Sequence, residues 1–190
     1  MHLWLSQHDA RVRALGAQEE LHYGFASTPF GNCFSLMGGS HLLALSFTES
    51  REEGIASLRK RWPTADLRPS TEADAVIASL FEHPKATSPL SLMAIGTPFQ
   101  LTVWECLCSI PEGKTLTYGE VAKAIGRPTA ARAVGKAVGA NEIGILIPCH
   151  RVVAQGKSGG RLGGYRWGVE RKKALLAWEL SQRDPLEMPF

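Results

Sequence analysis

Between Thr117 and Gly139 the chain spells two short helices and the sharp turn that joins them, and no other stretch limits the possible folds as strongly. Thr117 and Glu120 form a capping box around Tyr118-Gly119, so a helix should open there and run through Ile125. Gly126 suits the left-handed residue that ends such a helix, and Arg127-Pro128-Thr129 makes the turn. In the following helix Ala130, Ala133, Val134, Ala137 and Val138 repeat at helical spacing, leaving Arg132, Gly135, Lys136 and Gly139 outside the apolar stripe. The pair fits a helix-turn-helix or an ordinary helical hairpin. The bareness of the second helix favours the first. Ala130, Ala131, Ala133, Gly135 and Gly139 make a slim rod, at a cost in helix propensity at each glycine. Such a rod can approach a backbone or a narrow groove closely, with Arg132 as its longest projection.

Ten residues after that helix stands Pro148-Cys149-His150-Arg151-Val152, preceded by the apolar, strand-like run Ile145-Leu146-Ile147. A thiol beside an imidazole is either a nucleophile or a packed cysteine. At its ordinary pKa only about 3% of a free thiol is ionised at pH 7, so a working nucleophile needs a base. His150 is adjacent, but neighbours on extended backbone face opposite ways, so a bridging water or a redirecting turn is required. The imidazole in turn wants a carboxylate, for which Glu179 is one candidate. Asn141 either caps the second helix or spans the segment between that helix and the cysteine. Gly156, Gly159, Gly160, Gly163, Gly164 and Gly168 mark a loop suited to a pocket lid, without the sequence grammar of a phosphate loop.

Charge divides along the chain. Residues 1 to 95 hold 8 Lys+Arg against 10 Asp+Glu, a net of −2, whereas residues 96 to 190 hold 13 against 8, a net of +5. The basic half carries the motifs, which suggests that it meets a polyanion. Four irregularly spaced cysteines suit free thiols in a reducing compartment, and Cys106 and Cys108 lack the His pair of a zinc spacing. No metal or cofactor is therefore expected. No apolar run reaches the roughly 20 residues of a membrane span, and the opening Met1-His2-Leu3-Trp4-Leu5 is too short for a secretory signal, so a cytoplasmic protein is expected.

The first half reads as a scaffold. Glu20 to Thr28 alternates, with Leu21, Tyr23 and Phe25 on one side; Cys33 to Met37 and His41 to Phe47 follow across turns, predicting an antiparallel meander. Arg51 to Trp62 and Thr71 to Phe81 read as helices closed by Pro63 and Pro84, with Ser91 to Ile95 as a strand or linker. Thr97 and Gln100 form a second capping box, Pro98 suits the first helical position, and Phe99, Val103 and Leu107 share a face before Pro111. A boundary near residue 95 gives two domains, 1–95 and 96–190, in an α/β (α+β) chain.

Taken together, Pro148-Cys149-His150-Arg151-Val152, Tyr118-Gly119, Ala131-Arg132-Ala133-Val134-Gly135 and Gly164-Tyr165-Arg166-Trp167-Gly168 closely resemble the O6-alkylguanine-DNA alkyltransferases, also called methylated-DNA-protein-cysteine methyltransferases, of the bacterial Ada/Ogt-like type. The likeness is specific from about Phe99 to Glu179. It implies a small ribonuclease H-like N-terminal domain and a mostly helical, winged-helix-like C-terminal domain that contains the helix-turn-helix. It further implies a monomer that binds double-stranded DNA containing alkylated guanine through the minor groove and transfers the alkyl group irreversibly to Cys149. O4-alkylthymine is a less certain substrate. By the same resemblance His150 deprotonates Cys149 through a water, Glu179 orients His150, and Asn141 is the hinge asparagine. Tyr118 turns the lesion's phosphate and donates toward the guanine, while Arg132 fills the vacated base stack. Arg127, Thr129, Ala130, Ala133, Gly135 and Lys136 then belong to the DNA-facing surface, and Val152, Tyr165, Arg166 and Trp167 to the substrate pocket. Two readings from other classes compete: a lesion sensor or regulator that binds DNA without transfer, and a cysteine hydrolase using Cys149 and His150.

Overall fold

The computed structural model describes residues 2–7, 20–82, 90–156 and 162–182. It divides into two compact units, the first taking residues 1–101 together with 142–144 and the second taking 102–141 and 145–190.

The first unit is built on β1 (His2–Gln7), β2 (Glu20–Thr28), β3 (Gly31–Gly38), β4 (His41–Phe47), β5 (Asp66–Pro69) and β6 (Ser91–Gly96), with helices α1 (Arg51–Arg61) and α2 (Thr71–Glu82). β2, β3 and β4 form the antiparallel meander that the alternation predicts. The sheet does not stop there. Its order is β1-β6-β4-β3-β2-β5, and the β1–β6, β4–β6 and β2–β5 pairings are all parallel, so the sheet is mixed. Ser91 to Ile95 is thus a strand and not a linker. The strands β1 and β5 have no counterpart in the sequence reading, and Pro84, expected to close α2, lies outside the described residues.

Leu21, Phe34, Leu36, Leu58, Trp62 and Met93 form the main core on the face that α1 covers, with Tyr23 and Phe25 packed against it. Ser50 caps α1 by accepting from the Glu53 N–H. The opposite face is buried as well, because α2 presses on β2. Gly24 is buried there, the Ser35 hydroxyl donates to the Ala73 carbonyl at 2.8 Å, and Asp74 accepts from the Phe25 N–H at 2.7 Å. A Cβ at Gly24 would lie 2.3 Å from the Ala73 carbonyl carbon, a backbone atom that cannot rotate away. Gly24→Ala is therefore expected to destabilise the protein by about 2–3 kcal/mol through overpacking. Urea unfolding monitored by circular dichroism checks this, and an unchanged midpoint would mean that α2 can shift freely.

After α3 (Pro98–Cys108), which begins in the first unit and continues in the second, β7 (Leu116–Thr117), α4 (Tyr118–Ala124), α5 (Ala131–Gly139), a 3₁₀ turn (Cys149–Arg151), β8 (Val152–Val153) and α6 (Val169–Ser181) follow in order. Both expected capping boxes are present. Thr97 and Gln100 exchange hydrogen bonds at the start of α3, and Thr117 and Glu120 do so at the start of α4. Gly126 ends the α4 turn at φ 71°. Trp104 donates from its indole to the Ala137 carbonyl at 2.8 Å, which ties α3 to α5 over a core that includes Val103, Val121, Val134 and Val138. The α5 stripe is narrower than its pattern predicts. Val134, Ala137 and Val138 are buried, but Ala133 is exposed and joins Arg132 and Lys136 on the outer face.

The segment before Cys149 also departs from expectation. Ile145 to Ile147 forms a turn and not a strand, with Ile145 at φ 69°, an unusual position for a β-branched residue. No helix among the described residues is long and apolar enough to cross a membrane.

Candidate active site

The turn that presents the thiol is made by Pro148, which has no N–H to continue a ladder. The Cys149 N–H bonds the Ile147 carbonyl at 2.7 Å and the Arg151 N–H bonds the Pro148 carbonyl at 2.9 Å, winding Cys149–Arg151 into a single 3₁₀ turn. With three residues per turn, successive side chains leave about 120° apart and not on opposite faces. This resolves the awkward adjacency of thiol and imidazole: each of the three side chains enters a different environment.

The Cys149 side chain faces a cavity of about 250 Å³ lined by Tyr118, Gly135, Val138, Gly139, Asn141, Gly164, Tyr165, Arg166 and Trp167. Asn141 follows directly on the end of α5. Its amide donates to Cys149 Sγ at 3.2 Å and to the Ile147 carbonyl at 2.9 Å, so one side chain fixes both the sulfur and the turn before it. Burial pushes the Cys149 thiol up, and the Asn141 amide, Lys172 and Arg166 offset part of that rise. The sulfur is therefore a neutral thiol at pH 7 unless a base takes its proton.

His150 is 1% exposed and lies 2.6 Å from Glu179, Nε2 to Oε1. A carboxylate on Nε2 fixes the proton there, which makes Nδ1 the lone-pair nitrogen. Among the described residues Nδ1 is buried without a hydrogen-bond partner. Arg151 shares the same carboxylate, donating from Nε to both oxygens at 3.0 and 3.1 Å and from Nη2 to Oε1 at 2.8 Å, while its Nη1 donates to the Ile110 carbonyl at 2.6 Å. The Gly113 N–H supplies a further bond to Glu179 at 3.0 Å. Burial alone would raise the Glu179 carboxyl, but bonds from His150, Arg151 and Gly113 bring it down to about 2.

Around the pocket mouth Tyr165 and Trp167 meet edge to face, with ring centroids 5.3 Å apart, and the Arg166 guanidinium lies 5.8 Å from the Trp167 ring centroid. Arg166 also reaches the Asn141 carbonyl at 3.4 Å. Burial, and to a lesser degree Cys149, raise the Tyr118 phenol, so it stays protonated. Gly163, at φ 68°, brings the loop close to Tyr118; a Cβ there would stand 3.2 Å from the Tyr118 hydroxyl.

The structure thus brings Cys149, His150, Glu179, Asn141 and Tyr118 into one neighbourhood with Tyr165, Arg166 and Trp167. Val152, expected on the pocket wall, is not there: it is fully buried in β8, paired with Leu116. Gly135, expected among the DNA-facing residues of α5, lines the cavity together with Gly139. Arg127, Thr129, Arg132, Ala133 and Lys136 are exposed, and Ala130 is half-buried. Part of the glycine-rich loop, residues 157–161, lies outside the described residues. Sequence reasoning missed Arg151 and Lys172. Lys172 carried the clearer signal, a lysine in helical register with Leu175 and Glu179 on the buried stripe of α6. None of the four cysteines is in a disulfide, and no group of three or more His, Cys, Asp or Glu that could hold a metal occurs among the described residues.

Comparison with known proteins points the same way as this geometry. Residues 98–181 match the family model described as 6-O-methylguanine DNA methyltransferase, DNA binding domain. The chain is 37% identical over 175 residues to the bifunctional transcriptional activator/DNA repair enzyme Ada of Escherichia coli (strain K12), covering 89% of this chain and 48% of Ada. It therefore spans about half the length of that relative. It is 39% identical over 162 residues to the methylated-DNA–protein-cysteine methyltransferase of Mycobacterium bovis, covering 85% of this chain and 94% of that protein. The crystal structure of Mycobacterium tuberculosis OGT in complex with DNA superposes with a TM-score of 0.68 at 37% identity, covering 86% of this chain and 96% of that one. With a buried Cys-His-Glu constellation behind a bare helix, and with relatives of this identity along most of its length, the chain belongs to the O6-methylguanine-DNA methyltransferase family.

Proposed function

We propose that this protein repairs DNA by direct reversal, moving the alkyl group of O6-alkylguanine irreversibly onto Cys149. The observation that carries the reading is a cavity-facing thiol beside an imidazole whose Nε2 is held by a buried carboxylate. His150 Nδ1 accepts the Cys149 proton through a water. The thiolate attacks the alkyl carbon, a C–S bond forms, and the C–O6 bond breaks with its electron pair going to the purine. Guanine takes up one proton in exchange, donated by the Tyr118 hydroxyl on the cavity wall; Tyr118 regains a proton from solvent as His150 gives up the one it took from Cys149. The thioether left on Cys149 is not hydrolysed by water, so each molecule reacts once.

A base inside a duplex cannot reach this cavity without leaving the stack, at a cost of a few kcal/mol. Arg132, exposed on α5, fills the gap in this reading, and Arg127 and Lys136, exposed as well, meet phosphates. Residues 96–190 perform binding and transfer; residues 1–95 serve as a scaffold. The protein acts as a monomer on duplex DNA through the minor groove, in the reducing environment of the cytoplasm. Intact-mass measurement after exposure to alkylated duplex tests the proposal. A stable gain of one alkyl group on Cys149 is expected. Binding without mass gain would support a sensor, and repeated turnover a hydrolase.

Arg132→Ala is expected to slow repair in duplex DNA by about tenfold or more while leaving reaction with free O6-benzylguanine within about twofold, because the free base needs no extrusion. Equal losses on both substrates would place Arg132 in the pocket or the fold instead. Binding should also weaken as salt rises, since the basic side chains displace counterions.

A further inference from the structure

Asn141 and Cys149 stand eight positions apart, yet the Asn141 amide touches the sulfur at 3.2 Å, so the chain from one to the other is a closed loop. The beginning of that loop, residues 142–144, belongs to the first unit. There the Leu45 N–H donates to the Glu142 carbonyl at 2.8 Å and the Gly144 N–H donates to the Leu45 carbonyl at 2.7 Å, a parallel bridge that pairs Ile143 with Leu45. β6 pairs with β4 only at His41 and Leu42, and residues 142–144 take over that edge of β4 at Leu45. Both Ile143 and Leu45 are buried. A side-chain pair reinforces the bridge. Arg61, the last residue of α1, brings Nε to 3.4 Å from Glu142 Oε2, and the two side chains are 28% and 31% exposed.

These bonds fall on the residues that directly follow Asn141. Next comes Ile145 at φ 69°, a strained conformation for a β-branched residue that persists where the chain is held on both sides. The bridge at Gly144 holds it before, and the Asn141 bond to the Ile147 carbonyl holds it after. We infer that Arg61 and Glu142 are positioning residues for the transfer reaction: with the Leu45–Ile143 bridge they fix the backbone that follows Asn141, and so hold its amide on the Cys149 sulfur. The inference rests on the function proposed above and gives residues of the first unit a part in the reaction beyond that of a scaffold. A shift of Glu142 reaches the sulfur through one residue, and a small displacement of a reacting group costs rate without changing how DNA is held.

A charge-exchange cycle tests this, because both side chains reach solvent and either can be reversed without burying a lone charge. Arg61→Glu and Glu142→Arg should each lower the single-turnover transfer rate at saturating lesion duplex by about fivefold, with duplex affinity within about twofold. The double variant restores the pair with its charges exchanged and should return to within about twofold of wild type. A brace that only stabilises the fold would lower the melting temperature and leave the saturating rate alone. Singles that transfer at the wild-type rate well below their melting temperatures overturn the inference, as does a double variant no faster than the slower single. If a reversal fails to fold, Glu142→Gln removes the charge alone and should slow transfer by about threefold; an unchanged rate overturns the inference. Iodoacetamide labelling of Cys149, followed by peptide mass spectrometry, needs no DNA and separates this role from the proposed function. If wild type transfers no alkyl group, that function fails. The positioning then stands when labelling slows in the singles and recovers in the double, and it falls when all four proteins label at one rate.

Discussion

Cys149→Ala is expected to abolish alkyl transfer while leaving affinity for a lesion-containing duplex within about 1 kcal/mol. The two effects separate because the sulfur is small and weakly bonded. Its side chain accepts from the Asn141 amide at 3.2 Å, and that amide keeps its second bond, to the Ile147 carbonyl at 2.9 Å, when the sulfur is gone. A thiol contributes little as a hydrogen-bond acceptor, and its deletion in a cavity that opens to substrate leaves no sealed void. The residues proposed to grip DNA, Arg132, Lys136 and Arg127, lie on the exposed side of the helix-turn-helix and do not depend on the sulfur. A duplex carrying a labelled methyl group measures both quantities, transfer by retention of label on protein and affinity by titration. Any demethylation by the mutant would show that Cys149 is not the acceptor. In wild type the titration should plateau at one alkyl group per molecule, because Cys33, Cys106 and Cys108 are not among the residues that line the cavity and cannot exchange with the thioether.

What could be read from the residues alone follows the range of the forces involved. The boundaries of α4 were legible because capping is local: Thr117, Glu120 and Gly126 settle them within ten residues. The β2–β3–β4 meander was legible for the same reason, each turn lying between the strands it joins. By contrast β5, with the sequence Asp66-Leu67-Arg68-Pro69, contains two poor strand formers and exists because β2, some 45 residues earlier, offers an edge. The turn at Cys149 misled for a different reason. Ile145-Leu146-Ile147 reads as a strand by composition, but Asn141 reaches over to bond the Ile147 carbonyl and Pro148 blocks continuation. In the site, Glu179 was one carboxylate among several until the resemblance selected it. Its spacing from Lys172 and Leu175, at seven and four residues, was the local sign that it faces inward. Arg151 stayed hidden because its partners are a backbone carbonyl and a shared carboxylate, which no residue pattern records, whereas the register of Lys172 signals its burial but not the carbonyls it holds.

His150→Ala and Glu179→Gln are each expected to slow transfer at pH 7, the first by roughly 10²-fold or more, the scale of a lost general base. The double mutant should be little slower than the worse single, because the carboxylate acts only through the imidazole it orients. The geometry behind this is the 2.6 Å bond from His150 Nε2 to Glu179, which leaves Nδ1 as the base. The pH dependence follows from the shifts of the two ionising partners. Glu179 sits at about 2 in the folded protein, below its ordinary 4.5, so its stabilising contribution is complete above about pH 4.5 and fades only as the pH falls toward 2. It is charged throughout the working range and adds no feature to a profile between pH 6 and 10. Cys149 is shifted the other way, since burial keeps it a neutral thiol at pH 7. Raising the pH through the thiol's own range lets solvent take the proton that the relay no longer removes, and each mutant should recover part of its rate. Arg151, bonded to the same carboxylate, is not orphaned by Glu179→Gln, because it keeps the Ile110 carbonyl and the amide oxygen that replaces Oε1 or Oε2. A fold defect is therefore not the expected cause of a slow Glu179→Gln, and thermal melts would reveal one. Transfer rates of the four proteins across that pH range decide the matter: additive losses without recovery at high pH would mean that His150 and Glu179 act separately, and a Glu179→Gln that reacts at the wild-type rate at every pH would leave the carboxylate with a structural role alone.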